Sequence, residues 1–189
     1  MAKRVFFSFH YQDVISFRAN VVRNHNVTKD DNGGFFDASI WESAKKKGDI
    51  ALKRLINGGL DNTSVTVVLI GSETYARRWV QYEIIKSIER GNKVIGVHIN
   101  SIRDKDGQVK KSGPNPFDYL GIEVSSDGTR GTPTIWTGST WAHYQDLGSF
   151  EINPQSQEKW KKNLQLKTWL PTYDWVGNNG FQNFKDWVL

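Results

Sequence analysis

The run Trp79-Val80-Gln81-Tyr82-Glu83 holds the residue types best suited to chemistry. Its ends are four positions apart, so on a helix an indole and a carboxylate stack on one face. That face lies one residue off the apolar stripe Val80, Ile84 and Ile88, at the border between core and solvent. A carboxylate held there beside an aromatic wall suits a reaction in which positive charge develops. The same spacing also fits plain structure, with Trp79 in the core and Glu83 a surface acid paired to Lys86 or Arg90. Spacing alone favours that structural reading.

Other chemistries have less to stand on. Cysteine is absent, which removes a disulfide framework, a thiolate metal site and a Cys nucleophile. There is no Gly-x-x-x-x-Gly-Lys phosphate loop, no Gly-x-Gly-x-x-Gly fingerprint and no Gly-x-Ser-x-Gly nucleophile turn. Gly33-Gly34 and Gly58-Gly59 sit where turns belong, and His10, His25, His98 and His143 are too dispersed for a local metal motif. No metal site is expected.

The elements that must position these residues follow from the apolar pattern. Residues 4–9, 65–70 and 93–99 are nearly continuous runs of β-branched and aromatic residues, the pattern of strands covered on both faces. Residues 49–60 and 76–90 carry helical spacing, the first ending at Asn57-Gly58-Gly59 and the second at Gly91-Asn92. Strands alternating with helices predict right-handed crossovers and a parallel sheet. Gly34-Phe35-Phe36-Asp37 is expected to add a short edge strand. The fold class is α/β, a small flavodoxin-like parallel sheet flanked by helices, and ligands of such sheets sit beyond the carboxyl ends of the strands. Those ends are Phe9-His10-Tyr11, Asp37-Ala38-Ser39, Gly71-Ser72 and His98 to Asn100.

Beyond residue 100 the character changes. Residues 103–116 are polar, with Gly107, Gly113, Pro114 and Pro116, and read as a loop; residues 134–141 alternate like a hairpin. Six of the eight tryptophans lie between Trp136 and Trp187, too many to leave exposed, so this Trp-rich end is expected to pack on the sheet. The expected division is an α/β core over 3–100 and an extension of the same domain over 101–189. No stretch approaches the ~18 apolar residues of a membrane span, and Val5-Phe6-Phe7 is too short for a signal-peptide core. A cytoplasmic protein is expected, and the sequons at Asn26 and Asn62 are chance matches. The net charge of +5 admits an anionic partner. Lys45-Lys46-Lys47 and the basic group at 159–162 read as solvated faces.

The ordered set Phe6-Phe7-Ser8-Phe9, Phe36-Asp37-Ala38-Ser39, residues 64–72, Trp79-x-x-x-Glu83-Ile84 and residues 92–97 resembles the Toll/interleukin-receptor (TIR) domain family. The resemblance spans about residues 3–100. With the stretch Asn115 to Gly121 and the Trp-rich end, the whole chain is similar to TIR proteins of the Thoeris antiphage-defence system. In this family, infection triggers conversion of NAD⁺ into a cyclic ADP-ribose isomer, which switches on a separate effector. The resemblance implies Glu83 as the catalytic glutamate and places Phe6, Ser8, Phe9, His10, Asp37, Ser39 and Trp79 around the dinucleotide. NAD⁺ is then the substrate and no further cofactor is implied. The implied partners are a phage-derived trigger and an effector reached through the diffusible product; self-association is possible. Residues 40–45 lack the glycine usual in the loop that covers the site in TIR domains.

Nicotinamide in NAD⁺ is already a cationic leaving group, so its departure needs no general acid. The transition state resembles an oxocarbenium ion, as in glycoside hydrolysis. Partial burial beside Trp79 would raise the pKa of Glu83, and Arg77 and Arg78 would oppose that. Two other readings compete: a TIR adaptor acting only through its surface, and a nucleic-acid-binding module. The second lacks a concentrated basic stripe and ranks last.

Overall fold

The computed structural model describes residues 4–10, 17–25 and 38–189. The edge strand expected at 34–37, together with Tyr11 and Asp37, lies outside the described residues.

Among the described residues four parallel strands form the first sheet, in the order β1 (Val5–Phe9), β2 (Val65–Ile70), β3 (Lys93–His98) and β9 (Thr172–Asp174). Val5 to Phe9 run in register beside Val65 to Leu69, and Val65 to Ile70 beside Lys93 to His98. Among the described residues of the first hundred, the helices are α1 (Arg18–Arg23), α2 (Ala38–Lys46), α3 (Asp49–Leu60) and α4 (Arg78–Glu89). The last, α5 (Gly180–Val188), follows β9.

Alternation along each strand divides the core between the two faces of the sheet. Val5, Phe7, Val67, Leu69, Ile95 and Val97 face α1 and α5, where Trp175, Phe184 and Trp187 close the layer. Val68, Ile70 and Val94 face the other way, against Val80, Ile84 and Ile85 of α4. Phe6 also points to this second side and packs with Ile56 and Leu60 of α3 and Tyr82 of α4.

Between β3 and β9 the chain builds a second, antiparallel sheet: β4 (Leu120–Val124), β5 (Arg130–Trp136), β6 (Trp141–His143), β7 (Phe150–Glu151) and β8 (Asn163–Gln165). Its order is β6-β5-β4-β8, with β7 also paired to β5. The hairpin expected from the alternation at 134–141 is present, with Trp136 opposite Trp141. Phe117, Leu120, Ile122 and Leu166 from this region share one core with α4, so α4 is covered by both sheets. The approach is close enough to need a glycine: a Cβ on Gly96 of β3 would meet Ile70 Cδ1 at 2.9 Å and Phe117 Cε2 at 3.0 Å.

The Trp-rich end therefore does more than cover the sheet. Residues 172–188 return to it, Gly96, Val97 and His98 lying beside Thr172, Tyr173 and Asp174, and supply an edge strand and a helix. Among the described residues no helix is long and apolar enough to cross a membrane.

Candidate active site

Glu83 sits in the middle of α4, on a face turned toward β1. It is 6 % exposed, and its Oε2 accepts a hydrogen bond from the Ser8 hydroxyl at 2.5 Å. Ser8 is itself fully buried, next to the last residue of β1. Burial pushes the Glu83 carboxyl up to about 8, and the Ser8 hydrogen bond opposes that shift without cancelling it. The surface-acid alternative is thereby removed. Lys86 pairs with Glu89 and Arg90 with Asp61, so neither meets Glu83. Arg77 and Arg78 do not hold the carboxylate either: Arg77 pairs with Glu73, and Arg78 with Asp49 and Asp146.

The backbone beneath Glu83 is fixed as firmly as its side chain. Ser87 Oγ donates to the Glu83 carbonyl at 2.6 Å and receives a hydrogen bond from Thr66 Oγ1 at 2.8 Å. All three groups are buried, and buried hydroxyls paired in this way tie α4 to β2 at one register. The carboxylate is thus carried by a helix locked to the central strand and met by a hydroxyl from the neighbouring one.

The other residues singled out from sequence fall in three places. Trp79 is half-buried one turn before Glu83, with the Tyr82 ring edge-on at 6.0 Å and the Arg78 guanidinium 4.7 Å from its ring centre. Phe6 is 1 % exposed within the core of α3 and α4. Phe9, at the end of β1, lies on the opposite face of the sheet from Ser8, packed against the α1 and α5 layer with the Arg23 guanidinium 5.4 Å from its ring. His10 follows at the strand end; burial and the positive charge of Arg77 lower its pKa, which favours the neutral imidazole. Ser39 is exposed in the first turn of α2.

Long-range contacts add residues that spacing does not reveal. Asn100, after β3, is buried and donates to Ser72 Oγ at 3.1 Å and to the Lys111 carbonyl at 2.8 Å, bridging the loops beyond β2 and β3. Arg18 of α1 is buried and holds the neighbouring loop through the carbonyls of Ile102 (2.8 Å) and Gln108 (2.6 Å) and the Asp104 carboxylate (3.1 Å). Asp146, from the antiparallel region, reaches the start of α4 through Arg78. These partners stand 11 to 90 residues apart, so no local motif announces them.

A parallel α/β sheet with a buried carboxylate beneath the end of its first strand, extended by an inserted antiparallel sheet, defines the class of this protein. The family described as Thoeris protein ThsB, TIR-like domain, matches residues 6–104. The chain is also 60 % identical, over the full length of both proteins, to the protein named "Putative cyclic ADP-D-ribose synthase ThsB1" of Bacillus cereus (strain MSX-D12). The chain belongs to the Thoeris ThsB TIR-like family.

Proposed function

We propose that the protein is a cyclic ADP-ribose synthase: it breaks the nicotinamide–ribose bond of NAD⁺ and closes the remaining ADP-ribose into a ring. Family membership and the name of its 60 % identical relative support the reaction class. The observation that carries the reading to a residue is Glu83. Among the described residues it is the one buried acidic side chain, and it stands where a parallel sheet of this type offers a ligand site.

In the proposed reaction the C1′–N bond of the nicotinamide riboside breaks, and its electron pair leaves with neutral nicotinamide. Positive charge grows on C1′ and the ring oxygen, and the Glu83 carboxylate stabilises it. The buried carboxyl holds its proton in the free protein near neutral pH. Bound nicotinamide brings a cation beside it, and an opposite charge at short range favours the ionised form. The substrate thus helps ionise the group that acts on it. A nucleophilic group of the same molecule then bonds to C1′, and its proton passes to the carboxylate or to solvent. Ring closure prevails over hydrolysis when the site keeps water out and the two ends of the substrate close together.

Ser8 positions the carboxylate, Trp79 walls the cleft one turn before it, and His10 borders it at the end of β1; Phe9, on the opposite face of the sheet, takes no part in that wall. Phe6 supports this arrangement from the core. Ser39, in the first turn of α2, is a further contact to the dinucleotide, and Asp37 is carried as one from the family resemblance alone. NAD⁺ is substrate, and no separate cofactor takes part. A phage-derived trigger switches the protein on, and the cyclic product carries the signal to a separate effector.

The test is incubation with NAD⁺, with and without lysate of phage-infected cells, and identification of products by mass. Nicotinamide with a cyclic ADP-ribose isomer is expected. NAD⁺ left intact under both conditions would reject the proposal, and linear ADP-ribose alone would replace the cyclase by a hydrolase.

A further inference from the structure

The antiparallel sheet touches the helix that carries Glu83 at one strongly polar point. Asp146, in the turn between β6 and β7, receives two hydrogen bonds from Arg78, from Nε to Oδ2 and from Nη2 to Oδ1, each 2.7 Å. Such a two-pronged pair fixes orientation as well as distance. Lys53 of α3 reaches the same residue, 3.0 Å from both its Oδ1 and its carbonyl. Arg78 also donates to Asp49 Oδ2 at 2.7 Å, at the first residue of α3. Two positions before Asp146, the Tyr144 hydroxyl donates to the Arg78 carbonyl at 3.2 Å.

The pair is also strongly held. The Arg78 and Lys53 hydrogen bonds keep the Asp146 carboxyl well below the usual carboxylate range, and its side chain is 11 % exposed. On its other side the Arg78 guanidinium covers the Trp79 indole at 4.7 Å. Next to Asp146, Leu147 packs against the cluster of Phe6, Ile56, Leu60 and Tyr82, on which Trp79 and Trp41 also pack. One acidic residue of the inserted sheet thus fixes the guanidinium that lies against Trp79, and ties together the starts of α3 and α4.

We propose that Asp146 is a positioning residue for the NAD⁺ site, acting through Arg78 to hold the Trp79 wall of the cleft. It touches no reacting atom. Its effect is on how well the dinucleotide is held, because an aromatic wall displaced by about an ångström loses its contact with a stacked ring. The inference rests on the reading of Glu83 and Trp79 given above as an NAD⁺ site. The same connection makes the inserted sheet part of that site.

Binding and turnover separate this inference from the reading beneath it. NAD⁺ binding is measured by calorimetry on the Glu83→Gln protein, which removes the reaction and leaves the walls. On that background, Asp146→Ala and Arg78→Ala are each expected to weaken binding about tenfold, and the double variant no further, as two members of one chain of contacts behave. In the protein with Glu83 intact, Asp146→Ala is expected to raise KM about tenfold with kcat within about threefold. Asp146→Asn, which removes the charge and one acceptor with little change in size, should move both in the same direction if the alanine variant fails to fold. A lower melting temperature with unchanged NAD⁺ affinity would overturn the proposal, since that is all a purely structural contact would do. So would losses that multiply in the double variant, or no NAD⁺ binding at all. NAD⁺ bound with this dependence yet never consumed, even with infected-cell lysate present, would leave the positioning role standing and reject the synthase.

Discussion

Glu83 keeps its carboxyl where water is scarce, and that sets its proton equilibrium. With the group raised to about 8 from an ordinary value of 4.5, the free protein carries it mainly as the neutral acid at neutral pH. If ionised Glu83 is the working form, kcat/KM should climb with pH up to about 8 and then level, since that ratio reports ionisations of the free enzyme. Ser8→Ala removes the hydrogen bond that opposes the shift. Its pH profile should move to higher pH, and turnover at neutral pH should fall about tenfold or more. An unmoved profile in Ser8→Ala would show that the hydroxyl does not act through Glu83. Stability carries the same signature with the opposite slope. Between about 4.5 and 8 the folded protein holds a proton that the unfolded chain releases, so stability falls as pH rises through this window. Glu83→Gln has no such proton, so the loss of stability across that window should be smaller by this contribution. Parallel denaturant titrations at pH 5 and pH 8 measure it.

Helix α4 shows how much of the site was legible in the sequence and what was not. The spacing of Val80, Ile84 and Ile88 identifies the helix, and the Trp-x-x-x-Glu run marks the residue of interest. The same spacing leaves Glu83 at a border with solvent, because a one-sided stripe implies one covered face. In the fold Gln81, Tyr82, Glu83, Ile85 and Ser87 are buried too. Glu83 meets Ser8 of β1, Ser87 meets Thr66 of β2 and Tyr82 packs with Phe6 and α3, while the antiparallel sheet, thirty or more residues further along, covers the side that holds Ile85. Strands β1 to β3 were legible because they are covered on both faces and read as continuous apolar runs. Strand β9 was not: Thr172-Tyr173-Asp174 has no apolar run, and its place is set by the β3 edge it joins. The layer beyond it depends on Trp175, 6 % exposed and edge-on to Phe184 and Trp187. Trp175→Ala should cost about 3–5 kcal/mol, read from denaturant unfolding. A loss below about 1 kcal/mol would mean that this layer contributes little to the fold.

At the scale of the whole molecule, the two sheets share a core through α4, and they are expected to unfold as one unit. Cutting the chain near Ser112 removes β9 and α5 and strips Trp175, Phe184, Trp187 and Val188 from the face of β2 and β3. The remaining fragment should aggregate, and a soluble 1–112 fragment that unfolds cooperatively would contradict this. Family membership adds a demand of another kind, since a fast NAD⁺-consuming enzyme active without infection would poison its own cell. Turnover by the purified protein should be slow until infected-cell lysate is added, as expected when the competent site is a minor state that a partner stabilises. Rapid turnover by dilute protein alone would exclude that gate. The most direct test of the central claim compares Glu83→Gln with the unaltered protein in one NAD⁺ assay with infected-cell lysate, alongside circular dichroism. The exchange keeps size and polarity and removes the charge. A native spectrum with loss of cyclic product by at least about a hundredfold is expected; near-normal product from the folded Glu83→Gln protein would contradict the assignment.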